Sequence, residues 1–322
     1  MSRRSGRWSW LALVFFGPLV LSLVPVGEAF ALKPTRGYPA TPGDYGIIYE
    51  EVVFQSPDSL RLVGWFYPAQ DTAGIANDIV GRMVPVPDDL RRAPRPYSAQ
   101  GRTPCPTIII CDGDGGNMAD LIFYAYHFFP RGFNVFTFDW RGFGQSAEWP
   151  MDADQLCCSE FLRDYDAAIA YVKNRPEVDA ERIALVGFST GAYLSFAMLA
   201  THPEVAAFAG RALLTSFDDL LPILHELDPK RGFHAPADYP RDRLPIHAAQ
   251  SVRSPVFLIV GEKDQRTPPW MSEKILGLLE GPKELWIVSG AGHGGPAAPE
   301  FTNYPEFFDR VSAFLSQHMK GS

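Results

Sequence analysis

The chain has 322 residues, 46% of them hydrophobic, and a formal net charge of −8. That length buries a large core in one big or two small domains, and the excess of acid excludes nucleic acid as the expected partner, since phosphate binding needs clustered Lys and Arg. Its four cysteines show no metal-ligand spacing, so no metal and no cofactor is expected, and free thiols suit them better than disulfides.

The first thirty residues stand apart. "MSRRSGRWSW" carries three arginines and no acid, an apolar run "LALVFFGPLVLSLVPV" follows, and Ala29-Phe30-Ala31 offers a small-x-small cleavage pattern. A cationic start, an apolar middle and a small-residue end describe a signal peptide over residues 1–31. Residues 8–26 are also long enough to stay in a membrane as an anchor, although Gly17, Pro18 and Pro25 favour removal. The expected location is therefore periplasmic or extracellular, or membrane-anchored if that segment is retained. The Pro- and Gly-rich stretch 32–46 reads as a linker to a domain spanning 47–322.

In that domain "IYEEVVFQSPDSLRLVGWFYP" alternates on both sides of Ser56-Pro57-Asp58-Ser59, which predicts an antiparallel hairpin. Residues 70–104, rich in Pro, Arg and Asp, break the pattern and read as a surface insertion. A rhythm of short apolar runs then begins: "TIIIC", "NVFTFD", "RIALVGF", "RALLTSF", "PVFLIVG" and "ELWIVSG". Runs apolar on both faces are strands of a covered parallel sheet. Segments of helical spacing lie between them, among them "FLRDYDAAIAYVKN", "WMSEKILGLLEG" and "FFDRVSAFLSQH". The expected fold is therefore α/β, a mostly parallel sheet with helices on both faces. Residues 218–250 are too long and irregular for a simple crossover and read as a small cap.

Ligands of such sheets bind beyond the carboxyl ends of the strands. Ser189 follows "RIALVGF", Asp264 follows "PVFLIVG", His293 follows "ELWIVSG", and the loop Asp112-Gly113-Asp114-Gly115-Gly116-Asn117 follows "TIIIC". A serine hydroxyl attacks only as it loses its proton, a histidine can take that proton, and an aspartate fixes the histidine's tautomer. Gly187 and Gly191 flank Ser189 as a nucleophile elbow, the sharp strand-to-helix turn that lifts a serine out. The backbone N–H groups of Thr190 and Asp114 are the natural oxyanion hole. Taken singly, each feature has a plainer reading: Asp264 as a turn or capping residue, His293 as a loop histidine. The order Ser189, Asp264, His293 favours the catalytic one. Asp139, in "FTFDWRGFGQS", is a second acid, read as structural through the backbone or Arg141.

These residues resemble the α/β-hydrolase superfamily from about Tyr45 to His318. They are most similar to its small-cap, serine-aminopeptidase-like branch, which also holds monoacylglycerol lipases and depalmitoylases. The likeness is carried by "FDWRGFGQS", "RIALVGFSTGA", "SPVFLIVGEKDQRTP" and "GAGHG". The resemblance implies Ser189 as nucleophile, Asp264 as acid, His293 as base, and Asp114 and Thr190 at the oxyanion hole. One departure stands out: relatives carry a "HGNAGN" pattern where this chain has "DGDGGN", which brings two carboxylates toward a developing oxyanion. The function expected is hydrolysis of carboxylic esters or thioesters of a small or lipid-like acyl substrate. A peptidase, an acyltransferase and a non-catalytic binding protein are the alternatives.

Overall fold

A computed structural model describes residues 31–76, 86 and 88–319. The signal-peptide or anchor segment and part of the 70–104 insertion lie outside them. In chain order the strands are β1 (Lys33–Pro34), β2 (Glu50–Gln55), β3 (Arg61–Tyr67), β4 (Cys105–Cys111), β5 (Gly115–Gly116), β6 (Asn134–Asp139), β7 (Val178–Phe188), β8 (Ala207–Arg211), β9 (Val256–Gly261) and β10 (Lys283–Val288). The helices are α1 (Ile122–Phe128), α2 (Phe161–Lys173), α3 (Thr190–Leu199), α4 (Phe217–Leu227), α5 (Pro245–Ala248), α6 (Pro269–Leu278), α7 (Pro299–Thr302) and α8 (Glu306–His318).

Eight strands form one sheet in the order β10-β9-β8-β7-β4-β6-β3-β2. Only the β2–β3 and β3–β6 pairs are antiparallel, so the expected hairpin forms one edge of an otherwise parallel sheet. The continuous apolar runs of β4 and β9 are explained by burial on both faces, whereas the edge strand β10 leaves Ile287 exposed. In β4, Ile109 and Cys111 face one core while Ile108 and Ile110 face the other. Helices α2, α3 and α6 cover the first core, and α1 and α8 the second. All four cysteines are free, with Cys111, Cys157 and Cys158 buried.

Three expectations shift. The strand read at "RALLTSF" lies earlier, at Ala207–Arg211: Ala184 pairs with Ala207 and Phe188 with Arg211, and Ala212 leaves the strand at a φ of 60°. Leu213 and Leu214 are buried in the following turn, which is why that run is apolar without being extended. The stretch expected as a linker is ordered against the domain. Leu32, Ala40 and Tyr45 are buried, and β1 pairs with β5 in the first glycine loop. Part of the insertion packs back onto it, with Ile75, Ala76 and Val86 buried and the Ala76 N–H donated to the Tyr45 carbonyl.

Residues 217–248 supply α4, a single 3-10 turn and α5. Ser216 caps α4 by accepting the Asp219 N–H at 3.1 Å, and Phe217, Leu220 and Leu224 point inward. Mutual backbone hydrogen bonds join this region to the 154–156 segment, Leu156 N–H to the His234 carbonyl and His234 N–H to that of Asp154.

His127 on α1 is stacked on Phe308 at 4.2 Å and meets Phe123 edge-on at 4.7 Å. Burial, assisted by the Arg131 charge, pushes its pKa down to about 4, against the weaker pull of Asp309. The fold thus holds it neutral, so its contribution is intact above the ordinary value of 6.5 and is lost as pH falls toward 4. Denaturant midpoints measured between about pH 7 and pH 4.5 should fall less steeply for His127→Phe than for the parent. Equal slopes would contradict this assignment.

Candidate active site

Ser189 occupies the corner between β7 and α3 with φ 51° and ψ −113°, a backbone region costly for a residue with a side chain. Two glycines make the corner possible. A Cβ on Gly187 would lie 2.5 Å from the Gly191 carbonyl oxygen and 2.7 Å from Ala192 Cα. A Cβ on Gly191 would lie 2.1 Å from the Asp112 carbonyl oxygen. Neither position has room for alanine. The corner is tied to the neighbouring strand by the Ser189 N–H, donated to the Arg211 carbonyl at 2.9 Å.

From this perch Ser189 Oγ is 3.1 Å from His293 Nε2. His293 Nδ1 lies 3.0 and 2.9 Å from the two carboxylate oxygens of Asp264. The proton on Nδ1 is thereby committed to Asp264, and Nε2 is left to accept from the serine. Asp264 is buried, and burial alone would raise its pKa. The facing His293, together with hydrogen bonds from the Thr267 N–H and hydroxyl, reverses the balance and leaves it below the ordinary value. Asp264 also accepts the Arg266 N–H at 2.9 Å, so the turn-residue reading and the histidine-partner reading both describe it.

The first glycine loop lies directly against the serine. A Cβ on Gly113 would be 3.8 Å from both Ser189 Cβ and the Phe188 carbonyl oxygen. Thr190 opens α3, where first-turn N–H groups have no partner within the helix. The Asp114 carbonyl accepts the Lys33 N–H at 2.7 Å, and the Asp114 carboxylate is ion-paired with Arg266. Asp112 turns back on its own loop, its carboxylate accepting the Gly113 N–H at 2.7 Å. Beside Ser189 a narrow cleft, with room for little more than a water molecule, is lined by Leu156, Tyr193, Leu214, Leu220, Arg266 and Thr267. Among the described residues no group of three His, Cys, Asp or Glu side chains could hold a metal.

The second acid is excluded from this line by its partners. Asp139 accepts the Met118 N–H at 2.8 Å and the Tyr38 hydroxyl, and burial pushes its pKa up to about 6. Of the two structural partners expected, the backbone is the one it binds; Arg141 is elsewhere, fully buried and paired with Asp164 at 2.7 Å and Asp58 at 2.8 Å. Three residues that sequence reasoning did not single out surround the site: Thr267, Arg266 and Arg211. The signal for Arg211 was masked by the misplaced strand, for it ends β8 rather than opening a run. Its guanidinium is buried, pairs with Glu300 at 3.1 Å and donates to the His293 carbonyl. Glu300 in turn accepts the Tyr124 hydroxyl at 2.6 Å.

A covered parallel sheet with a strained serine corner, and with histidine and aspartate loops at the same strand ends, defines an α/β hydrolase. The profile of the prolyl oligopeptidase family matches residues 121–322, and the chain belongs to that family. It is similar to the α/β hydrolase domain-containing protein WAV2 of Arabidopsis thaliana, 24% identical over 276 residues that cover 79% of this chain and 77% of the relative. Among solved structures, the Pyrococcus furiosus esterase Pf2001 superposes with a TM-score of 0.64 at 19% identity, over 90% of this chain and all of that one. A puromycin-hydrolysing peptidase of Mycobacterium tuberculosis gives 0.63 at 17%, over 87% of this chain and 40% of that one. The two structural likenesses are likenesses of fold.

The pairing of Arg211 with Glu300 yields a stability prediction. Breaking a buried pair by removing one partner costs about 3–5 kcal/mol, because the remaining charge is left uncompensated. Arg211→Met should lose that much in denaturant unfolding, and Arg211→Met with Glu300→Gln should lose markedly less. A double variant no more stable than the single one would mean the pair is not the unit.

Proposed function

We propose that the chain is a serine hydrolase that cleaves carboxylic esters or thioesters through an acyl-enzyme, with Ser189, His293 and Asp264 as its triad. The observation that carries this reading is the unbroken line from Ser189 Oγ through both ring nitrogens of His293 to Asp264, with every step between 2.9 and 3.1 Å. Ser189 Oγ attacks the acyl carbonyl carbon as His293 Nε2 takes the hydroxyl proton. The carbonyl π electrons move to oxygen, and the resulting oxyanion is met by the N–H groups of Thr190 and Asp114. Collapse expels the alcohol or thiol, which receives the proton from His293. Water then repeats the cycle on the acyl-serine and frees the acid.

One observation favours esters and thioesters over amides that carry a free α-amine. Asp114, the carboxylate that would receive a substrate α-amine, is already engaged by Arg266. The peptidase reading draws support from the family name and from the peptidase of similar fold. Export is part of the proposal and rests on the N-terminal sequence pattern, as does attachment to a membrane through residues 8–26.

A fluorophosphonate probe should label the protein, and Ser189→Ala should abolish both the label and at least about 10³-fold of the turnover of p-nitrophenyl esters. Asp264→Asn should cut the rate by about 10⁴-fold while the protein stays folded, because the histidine tautomer is no longer fixed. Equal labelling of the alanine variant would move the nucleophile elsewhere. Turnover of aminoacyl amides without turnover of esters would favour the peptidase.

A further inference from the structure

We infer that Arg266 is a positioning residue for the oxyanion hole, neutralising the Asp114 carboxylate and holding the loop that presents the Asp114 N–H. The inference rests on the proposed function, in which that N–H faces the tetrahedral oxygen. The loop Asp112-Gly113-Asp114 poses the problem it answers: at Asp114 one residue presents both a donor for a negative oxygen and a negative charge of its own. An unmasked unit charge about 6 Å from the oxyanion, at an effective dielectric near 20, would slow the step by roughly 100-fold.

Arg266 is placed to remove that penalty. Its guanidinium pairs with the Asp114 carboxylate, and both side chains are only 19% exposed, so solvent and salt screen the pair less than they would at a surface. Arg266 is two residues from Asp264, and its own N–H is donated to the Asp264 carboxylate at 2.9 Å. One residue therefore ties the acid of the triad to the oxyanion loop, and its side chain also lines the cleft beside Ser189. On the other side the Asp114 carbonyl is held by the Lys33 N–H at 2.7 Å. Asp114 is fixed through its backbone by β1 and through its carboxylate by the acid loop. The other loop carboxylate, Asp112, is turned onto the Gly113 N–H.

The test is a four-member cycle on full-length protein: the parent, Arg266→Met, Asp114→Asn and the double variant, assayed with p-nitrophenyl acetate and butyrate. Arg266→Met should lower kcat by about 30–100-fold with KM changed less than about threefold, and the deficit should shrink as KCl is raised. Asp114→Asn keeps the backbone N–H but loses both the charge and the tie to Arg266, so its kcat should fall, by less than that of Arg266→Met. The double variant should recover at least about tenfold over Arg266→Met, because removing the carboxylate removes what the arginine was masking. If Arg266→Met does not fold, Arg266→Gln takes its place, and Arg266→Lys should keep most of the rate. A double variant as slow as Arg266→Met, or an Arg266→Met that keeps full kcat, would overturn the inference. Fluorophosphonate labelling separates the two failures. Loss of the label in Ser189→Ala together with an additive cycle sinks this inference alone, whereas persistence of that label sinks the serine-hydrolase reading beneath it.

Discussion

The first turn of α3 has to enter a gap between the β7 strand end and the 111–112 backbone that admits no side chain at residue 187 or 191. A Cβ at either would fall within 2.5 Å of a carbonyl oxygen. Because both are glycine, helix and loop close together, and Ser189 is forced to the outside of the corner with a left-handed φ. The strain is held by surrounding packing: Phe188 is buried beneath it against Tyr124 at 4.5 Å, and the Ser189 N–H is tied to β8. Every other distance in the site is measured from that corner. The histidine and aspartate loops need only reach it from strands already in register with β7.

The loops that do so are irregular, and buried charge organises them. Arg211, Glu300 and Tyr124 form a chain of polar contacts that ends on the His293 carbonyl. Arg141, Asp164 and Asp58 do the same for the turn after β6, where Asp164 also accepts the Arg141 N–H. Buried ion pairs are a poor source of net stability, but each demands one geometry. That demand suits loops whose backbone lacks a ladder to fix it.

Much of the architecture was legible in the sequence because burial on both faces of a sheet leaves a plain mark. "TIIIC" and "PVFLIVG" are apolar at nearly every position because α1 and α8 cover one side and α2, α3 and α6 the other. The placement of Ser189, Asp264 and His293 at strand ends followed from those runs. Where composition and burial part company the reading fails. Residues 207–211, "AFAGR", are small and weakly strand-like, yet they form β8, while the leucines after them are buried in a turn. Residues 32–46 have the Pro and Gly content of a linker, but Leu32, Ala40, Pro42 and Tyr45 are buried and the backbone at Lys33–Pro34 is paired. Arg266 and Arg211 could not be found from spacing, since an arginine's partners lie far away in the chain and its charge alone does not name them.

The pairing of Lys33–Pro34 with Gly115–Gly116 carries a practical consequence. This early segment thereby braces the glycine loop that packs against Ser189. Trimming the chain past Leu32, or fusing a bulky tag there, disturbs a strand that the loop beside Ser189 leans on.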